Sequence, residues 1–89
     1  FLALPGGIGT LDELFEAWSW NALGYHAKPF CLLNVEGFWD GLIHFIDQAT
    51  ESGFLSQQRR SQLLVAQTPD EALDLLDEAA AAATQGMVW

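Results

Sequence analysis

The sequence predicts an α/β fold built on a parallel sheet, on three observations. Short, nearly unbroken apolar runs, Phe1–Leu4, Phe30–Val35 and Leu63–Ala66, alternate with longer stretches of helical periodicity. The runs lack the polar alternation of half-exposed strands, as in sheets covered on both faces. Each connection is long enough to carry the crossover that parallel strands require. The order along the chain is β-α-β-α-α-β-α.

Each element has its own signal. Phe1–Leu4 reads as a buried strand closed by Pro5-Gly6-Gly7-Ile8-Gly9. Thr10-Leu11-Asp12-Glu13 has the form of a capping box. Leu11, Leu14, Phe15, Trp18 and Ala22 then recur at helical spacing, and Gly24 sits where a terminating glycine belongs. Phe30–Val35 is the second strand, and Glu36-Gly37 turns the chain. A helix over about 38–52 carries Leu42, Ile43, Phe45, Ile46 and Ala49 inward and stops at Gly53. Ser56–Arg60 is one short helical turn, and Leu63–Ala66 is the third strand. Thr68-Pro69-Asp70-Glu71 opens the last helix with a capping threonine, proline at the first position and acids in the first turn. Its acids Asp70, Asp74, Asp77 and Glu78 lie opposite Leu73, Leu76 and Ala80, and the alanine run is helix interior.

Composition bounds the function. Eighty-nine residues with 51% hydrophobic content support one core and not two. Twelve acidic residues face three basic ones, Lys28, Arg59 and Arg60. The formal charge of -9 disfavours nucleic acid and anionic membranes. Six Phe and four Trp argue against disorder. The single cysteine, Cys31, forms no internal disulfide and reads as an inert buried thiol. That usage fits a reducing, cytoplasmic setting. No Cys/His cluster has metal spacing, and no run approaches the roughly 18 residues that span a bilayer. The first residue is Phe, in an apolar run already under way, so a fragment whose missing part lies upstream is expected.

The loop between the first strand and helix carries the chemistry. Ligands of open α/β sheets bind beyond the carboxyl ends of the strands, where a helix N-terminus offers free N–H groups to an anion. Glycines let the backbone approach a phosphate, and the Thr10 hydroxyl adds a donor. A merely glycine-rich tight turn is the competing reading. The loop is no P-loop, since no lysine follows its last glycine, and no dinucleotide G-x-G-x-x-G. Glu13 is also open to two readings: a cap reaching back to Thr10, which the pattern favours, or a carboxylate one turn past a bound phosphate.

Pro5-Gly6-Gly7-Ile8-Gly9-Thr10-Leu11-Asp12-Glu13 resembles the P-G-G-x-G-T-x-x-E motif of the LOG (Lonely Guy) family, the cytokinin riboside 5′-monophosphate phosphoribohydrolases. The likeness continues. Trp20–Pro29 is similar to that family's W-x-Q-L-G-x-H-x-K-P, and Leu33–Trp39 to its L-N-V-x-G-[YF]-[YFW]. Phe45-Ile46-Asp47, Gly53–Ser56 and Thr68-Pro69 follow in the same order.

The resemblance implies a Rossmann-like parallel sheet with flanking helices, of which residues 1–89 form the C-terminal part. It implies hydrolysis of the N-glycosidic bond of a nucleoside 5′-monophosphate, a cytokinin nucleotide or AMP, to free base and ribose 5-phosphate, with no cofactor. Gly6, Gly7, Gly9 and Thr10 then hold the 5′-phosphate, and Glu13 acts on the ribose as a catalytic carboxylate, which reverses the capping preference. Trp20 is implied in a homodimer contact, with Tyr25 and His26 near a site completed by the second subunit. An arginine from an upstream M-x-x-R-K helix is also implied and is absent from these residues, so the segment alone is expected to be inactive. Ala22 stands where the family usually has Gln.

Other candidates carry less. His26 reads as a loop histidine, and His44 as an i,i+4 partner of Asp40. Trp18 and Trp20 fall on different faces of one helix, with Trp18 in the core. Lysine decarboxylase, a name attached to such sequences, needs a Schiff-base lysine, and the only lysine is Lys28 in a loop. A non-catalytic carrier of a nucleotide or molybdenum cofactor on the same fold is the remaining alternative.

Overall fold

A computed structural model describes residues 1–22 and 29–86. Three strands, β1 (Leu2–Ala3), β2 (Phe30–Leu33) and β3 (Leu63–Ala66), form one sheet in the order β1-β2-β3, with both pairs parallel. Between them run the helices α1 (Ile8–Ala22), α2 (Asp40–Glu51) and the one-turn α3 (Gln57–Arg60). A 3₁₀ turn, Val35–Gly37, links β2 to α2, and α4 (Pro69–Gly86) follows β3. The α/β parallel architecture and the element order are therefore those expected. Gly24, Tyr25, His26 and Lys28 lie outside the described residues.

The sheet is covered on both faces, which explains strands without polar alternation. All four residues of β2 are buried, and successive side chains enter different cores. Phe30 and Leu32 join Ala3, Leu63, Leu14 and Trp18 of α1, and Trp39 and Ile46 at α2. Cys31 and Leu33 join Ala66 and Ala72, with Leu75 and Leu76 of α4 packed against them. Trp18 stands against Phe30 at a ring-centroid distance of 5.7 Å, and its indole N–H donates to the Arg59 carbonyl at 3.1 Å. A buried tryptophan with its N–H satisfied ties α1 to α3. Arg60 ties α3 to its surroundings, pairing with Asp47 at 2.5 Å and donating to the Leu63 carbonyl at 3.2 Å.

The local signals hold at several ends. The Thr68 hydroxyl accepts from the Glu71 N–H at 3.2 Å, so the expected cap forms, and the Ser56 hydroxyl, not singled out from the sequence, caps the short turn by accepting from the Arg59 N–H at 3.1 Å. Gly53 ends α2 at φ 86°, a left-handed conformation that glycine adopts without penalty.

Three expectations need correction. Phe45 does not point inward: it is 64% exposed, whereas Ile46 is buried. In α4 the inward stripe is Ala72, Leu75 and Leu76, spaced i, i+3 and i+4 on one helix face, and Leu73 falls off that face and is exposed. The first strand is shorter than 1–4. The parallel ladder with β2 takes in Leu2 and Ala3, and Leu4 beyond it is exposed.

Candidate functional site

Two loops leave adjacent parallel strands at the same end of the sheet: residues 4–7 after β1, and residues 34–39 after β2. The register pairs Ala3 with Leu32, so the two turns begin nearly level, one strand spacing apart. This is the carboxyl end, where α/β folds bind ligands.

In the first turn, α1 begins at Ile8, two residues before the expected cap. The Leu11 N–H donates to the Gly7 carbonyl at 3.1 Å, which makes Gly7 the residue that opens the helix. Thr10 is thus inside the first turn and caps nothing. A Cβ on Gly6 would run into the Thr10 hydroxyl, which folds back over Gly6 and would have to move for any larger residue there. Gly7 and Gly9 differ. A Cβ on either would meet nothing within 4 Å, and neither has a positive φ. Neither backbone strain nor internal packing of the chain calls for glycine at these two places. Helix geometry leaves the N–H groups of Ile8, Gly9 and Thr10 without intrahelical acceptors, and Gly7, Ile8 and Gly9 are exposed. Ile8 was not singled out from the sequence. Its contribution is a backbone N–H, which side-chain identity does not advertise.

Glu13 lies one turn further along α1, exposed and without the capping bond to Thr10. It lines a recess of about 310 Å³ together with Glu16, Ala17, Trp20 and Asn21 of α1, and Phe1 and Pro29 at the β1 side. These α1 positions are spaced i, i+3, i+4, i+7 and i+8 from Glu13, which is one helix face. The structure therefore brings Glu13 and Trp20 to one surface and separates both from Trp18, which is 8% exposed beneath the helix. Glu16 joins Glu13 on the recess and Asp12 does not. A larger hollow, of about 520 Å³, lies elsewhere, between α1 and α2.

The backbone and Asn34 of the second turn are satisfied by the chain itself, while the buried Trp39 indole Nε1 has no hydrogen-bond partner. Asn34, 4% exposed, accepts from the Trp39 N–H at 2.7 Å, donates to Asp40 Oδ1 at 2.8 Å, and gives its backbone N–H to the Ala66 carbonyl at 2.7 Å. Glu36 and Gly37 are both left-handed, at φ 50° and φ 73°. A Cβ on Gly37 would come within 2.6 Å of Asp40 Oδ2. The Asp40 carboxylate is thus engaged with Asn34, and the expected pairing of Asp40 with His44 is not made.

Among the described residues no group of three or more His, Cys, Asp or Glu could hold a metal ion, and no helix is long and apolar enough to cross a membrane. The Cys31 thiol is fully buried, and burial, followed by the Glu71 charge, pushes its pKa up. It is an unreactive core group, as expected.

A family model described as "Possible lysine decarboxylase" matches residues 1–76, from β1 into α4. The chain belongs to that family. Its similar curated relatives carry a different description. The probable cytokinin riboside 5′-monophosphate phosphoribohydrolase LOGL3 of Oryza sativa subsp. japonica is 51% identical over 78 residues, 88% of this chain and 37% of that protein. Cytokinin riboside 5′-monophosphate phosphoribohydrolase LOG2 of Arabidopsis thaliana is 49% identical over 78 residues, again 88% of this chain and 37% of the relative. The rice enzyme LOG is 45% identical over 89 residues, all of this chain and 37% of its own length. The chain thus spans little more than a third of these relatives. The family match and these relatives agree with the expected resemblance to that family.

Proposed function

We propose that residues 1–89 form the C-terminal part of one Rossmann-like domain whose complete protein is a hydrolase of nucleoside 5′-monophosphates. It cleaves the N-glycosidic bond of a cytokinin riboside 5′-monophosphate or of AMP, releasing free base and ribose 5-phosphate. The observation that carries this reading is the geometry of α1. An open glycine turn feeds unpaired N–H groups at the positive end of the helix dipole, and a carboxylate stands one turn beyond. One turn advances about 5.4 Å along the axis. That step carries a bound nucleotide from its 5′-phosphate to its ribose ring.

In this reading Gly6, Gly7, Gly9 and Thr10, with the Ile8 N–H, hold the phosphate. Glu13, ionised, stabilises the cationic charge that develops on the sugar as the base departs, or orients the attacking water. Trp20, on the same face of α1 as Glu13, supplies a subunit contact beside the site, and Tyr25 and His26 follow it in sequence. The chain's composition fits a cytoplasmic protein. Residues 1–89 by themselves supply no Schiff-base site for decarboxylation of lysine, since their one lysine, Lys28, stands immediately before a proline.

The test is chromatographic. The full-length protein is incubated with AMP and with isopentenyladenosine monophosphate, and free base is measured. Release of adenine or of the modified base is expected; no release from either nucleotide would refute the hydrolase reading.

A further inference from the structure

The proposed chemistry uses one carboxylate of α1, and the recess beside it holds two. Of the three acids on this helix, Glu13 and Glu16 line the recess and Asp12 does not. Both glutamates are exposed, and neither makes a hydrogen bond or ion pair among the described residues. No described residue of the recess is basic, and apart from Asn21 its other walls are apolar, with the Trp20 ring among them. Like charges three residues apart on a helix repel, so the fold gains nothing from setting both in one concavity. Position relates the pair to the glycine turn. At about 1.5 Å of rise per residue, the Cα atoms of Glu13 and Glu16 stand about 7.5 and 12 Å along the axis from Ile8. Helical side chains lean toward the N-terminus, which carries both carboxylates back toward the turn, Glu13 the nearer and Glu16 the farther.

We propose that Glu16 is a specificity-determining residue, an assignment that rests on the hydrolase reading above. Its carboxylate accepts hydrogen bonds from the 2′- and 3′-hydroxyls of the substrate's ribose, and through the 2′-hydroxyl it selects ribonucleotides over 2′-deoxyribonucleotides. The order of groups along the ligand matches the order along the helix. In a nucleoside 5′-monophosphate the 2′-oxygen is one bond farther from the phosphorus than the anomeric carbon. With the phosphate on the N–H groups at the start of α1, Glu13 therefore faces the carbon that loses the base, and Glu16, one step farther along the same face, meets the hydroxyl beyond it. The chemistry matches as well. Neighbouring cis hydroxyls present two donors side by side, and a carboxylate presents two acceptor oxygens, so each bond is charge-assisted. A site built to bond a hydroxyl rejects the analogue that lacks it, because its own polar group is then left unpaired. The second negative charge also lies close enough to the sugar to favour the cationic transition state that Glu13 serves.

The test compares the full-length parent with Glu16→Ala on the nucleotide that the parent cleaves, AMP or isopentenyladenosine monophosphate, and on its 2′-deoxy counterpart. Base release is followed by chromatography. In the variant, kcat/KM for the ribonucleotide is expected to fall roughly thirtyfold or more, and that for the deoxy counterpart by less than about threefold. The melting temperature is expected to hold, since alanine suits an exposed helix position. Calorimetry supplies a readout without turnover. The parent is expected to bind ribose 5-phosphate more tightly than 2-deoxyribose 5-phosphate, and the variant to bind the two alike. A ratio of ribo to deoxy activity that is equal in parent and variant overturns the assignment while the hydrolase reading stands. An unchanged ratio with a lowered melting temperature also overturns it, and places Glu16 in an ion pair with another part of the polypeptide. No base released by the parent from any of these nucleotides removes the hydrolase reading and the assignment with it.

Discussion

The turns after β1 and β2 leave neighbouring strands at the same end of one sheet, and both contain glycine, but for different reasons. After β2 the glycine is explained from within, although the left-handed Glu36 and the unpartnered indole Nε1 of the buried Trp39 are not. Gly37 adopts φ 73° against the Asp40 carboxylate, and Asn34 braces the turn through three hydrogen bonds. After β1 only Gly6 is so explained, by the Thr10 side chain above it, while Gly7 and Gly9 face open space with ordinary φ. A glycine that the fold does not need is a candidate for something that approaches from outside. Gly41, in the first turn of α2, is also open, and nothing in the structure explains it.

The contrast can be broken from either side. The largest effect is expected at the ligand side. Glu13→Gln in the full-length protein should lower kcat by about 100-fold or more, with an unchanged melting temperature, because Glu13 is exposed and bonds to nothing that holds the fold. Full turnover in that variant would remove Glu13 from the chemistry. On the fold side the order of consequences inverts. Asn34→Ala strands the Trp39 N–H and frees Asp40, and should cost about 2 to 3 kcal/mol in denaturant unfolding. Gly37→Ala should cost about 2 kcal/mol, from the left-handed backbone and the contact with Asp40. A stability unchanged by either would mean that the second turn is not braced as described.

The smallest effect concerns Cys31. Its thiol pKa is raised in the folded chain, first by burial and then by Glu71, so the folded state prefers the protonated form more than the unfolded state does. Stability is therefore full below the ordinary thiol pKa of about 8.5 and declines as pH rises above it. Cys31→Ala should remove that alkaline component of the unfolding profile. In the parent, alkylation of this thiol at pH 8 should follow unfolding rather than precede it.

Much of this was legible in the sequence, and the failures have physical reasons. The strands β2 and β3, the short turn after Ser56 and the cap Thr68 were readable because their signals are local. The start of α1 was misread. Thr10-x-x-Glu13 imitates a capping box, but a glycine can open a helix with its carbonyl alone, and the Gly7–Leu11 bond takes that role. Phe45 was read inward because it sits beside the apolar stripe of α2. Periodicity alone does not show that the helix turns this ring to open surface. The partnership of Glu13 with Trp20 on one recess follows from helical spacing, yet it becomes visible only when Phe1 and Pro29 close the other side. The distinction between the three loop glycines was not readable at all. It depends on what surrounds each Cα in space.

That distinction is tested most directly by Gly9→Ala in the full-length protein, with AMP affinity measured by calorimetry and melting temperature measured on the same sample. Gly9 lies within α1 with room for a methyl group, so alanine should hold the melting temperature or raise it. The methyl group should also obstruct the phosphate and weaken binding by roughly tenfold or more. Weaker binding with an unchanged or higher melting temperature is the expected result. Unchanged affinity, or a fall in melting temperature like that of Gly37→Ala, would contradict the assignment of this loop to the phosphate.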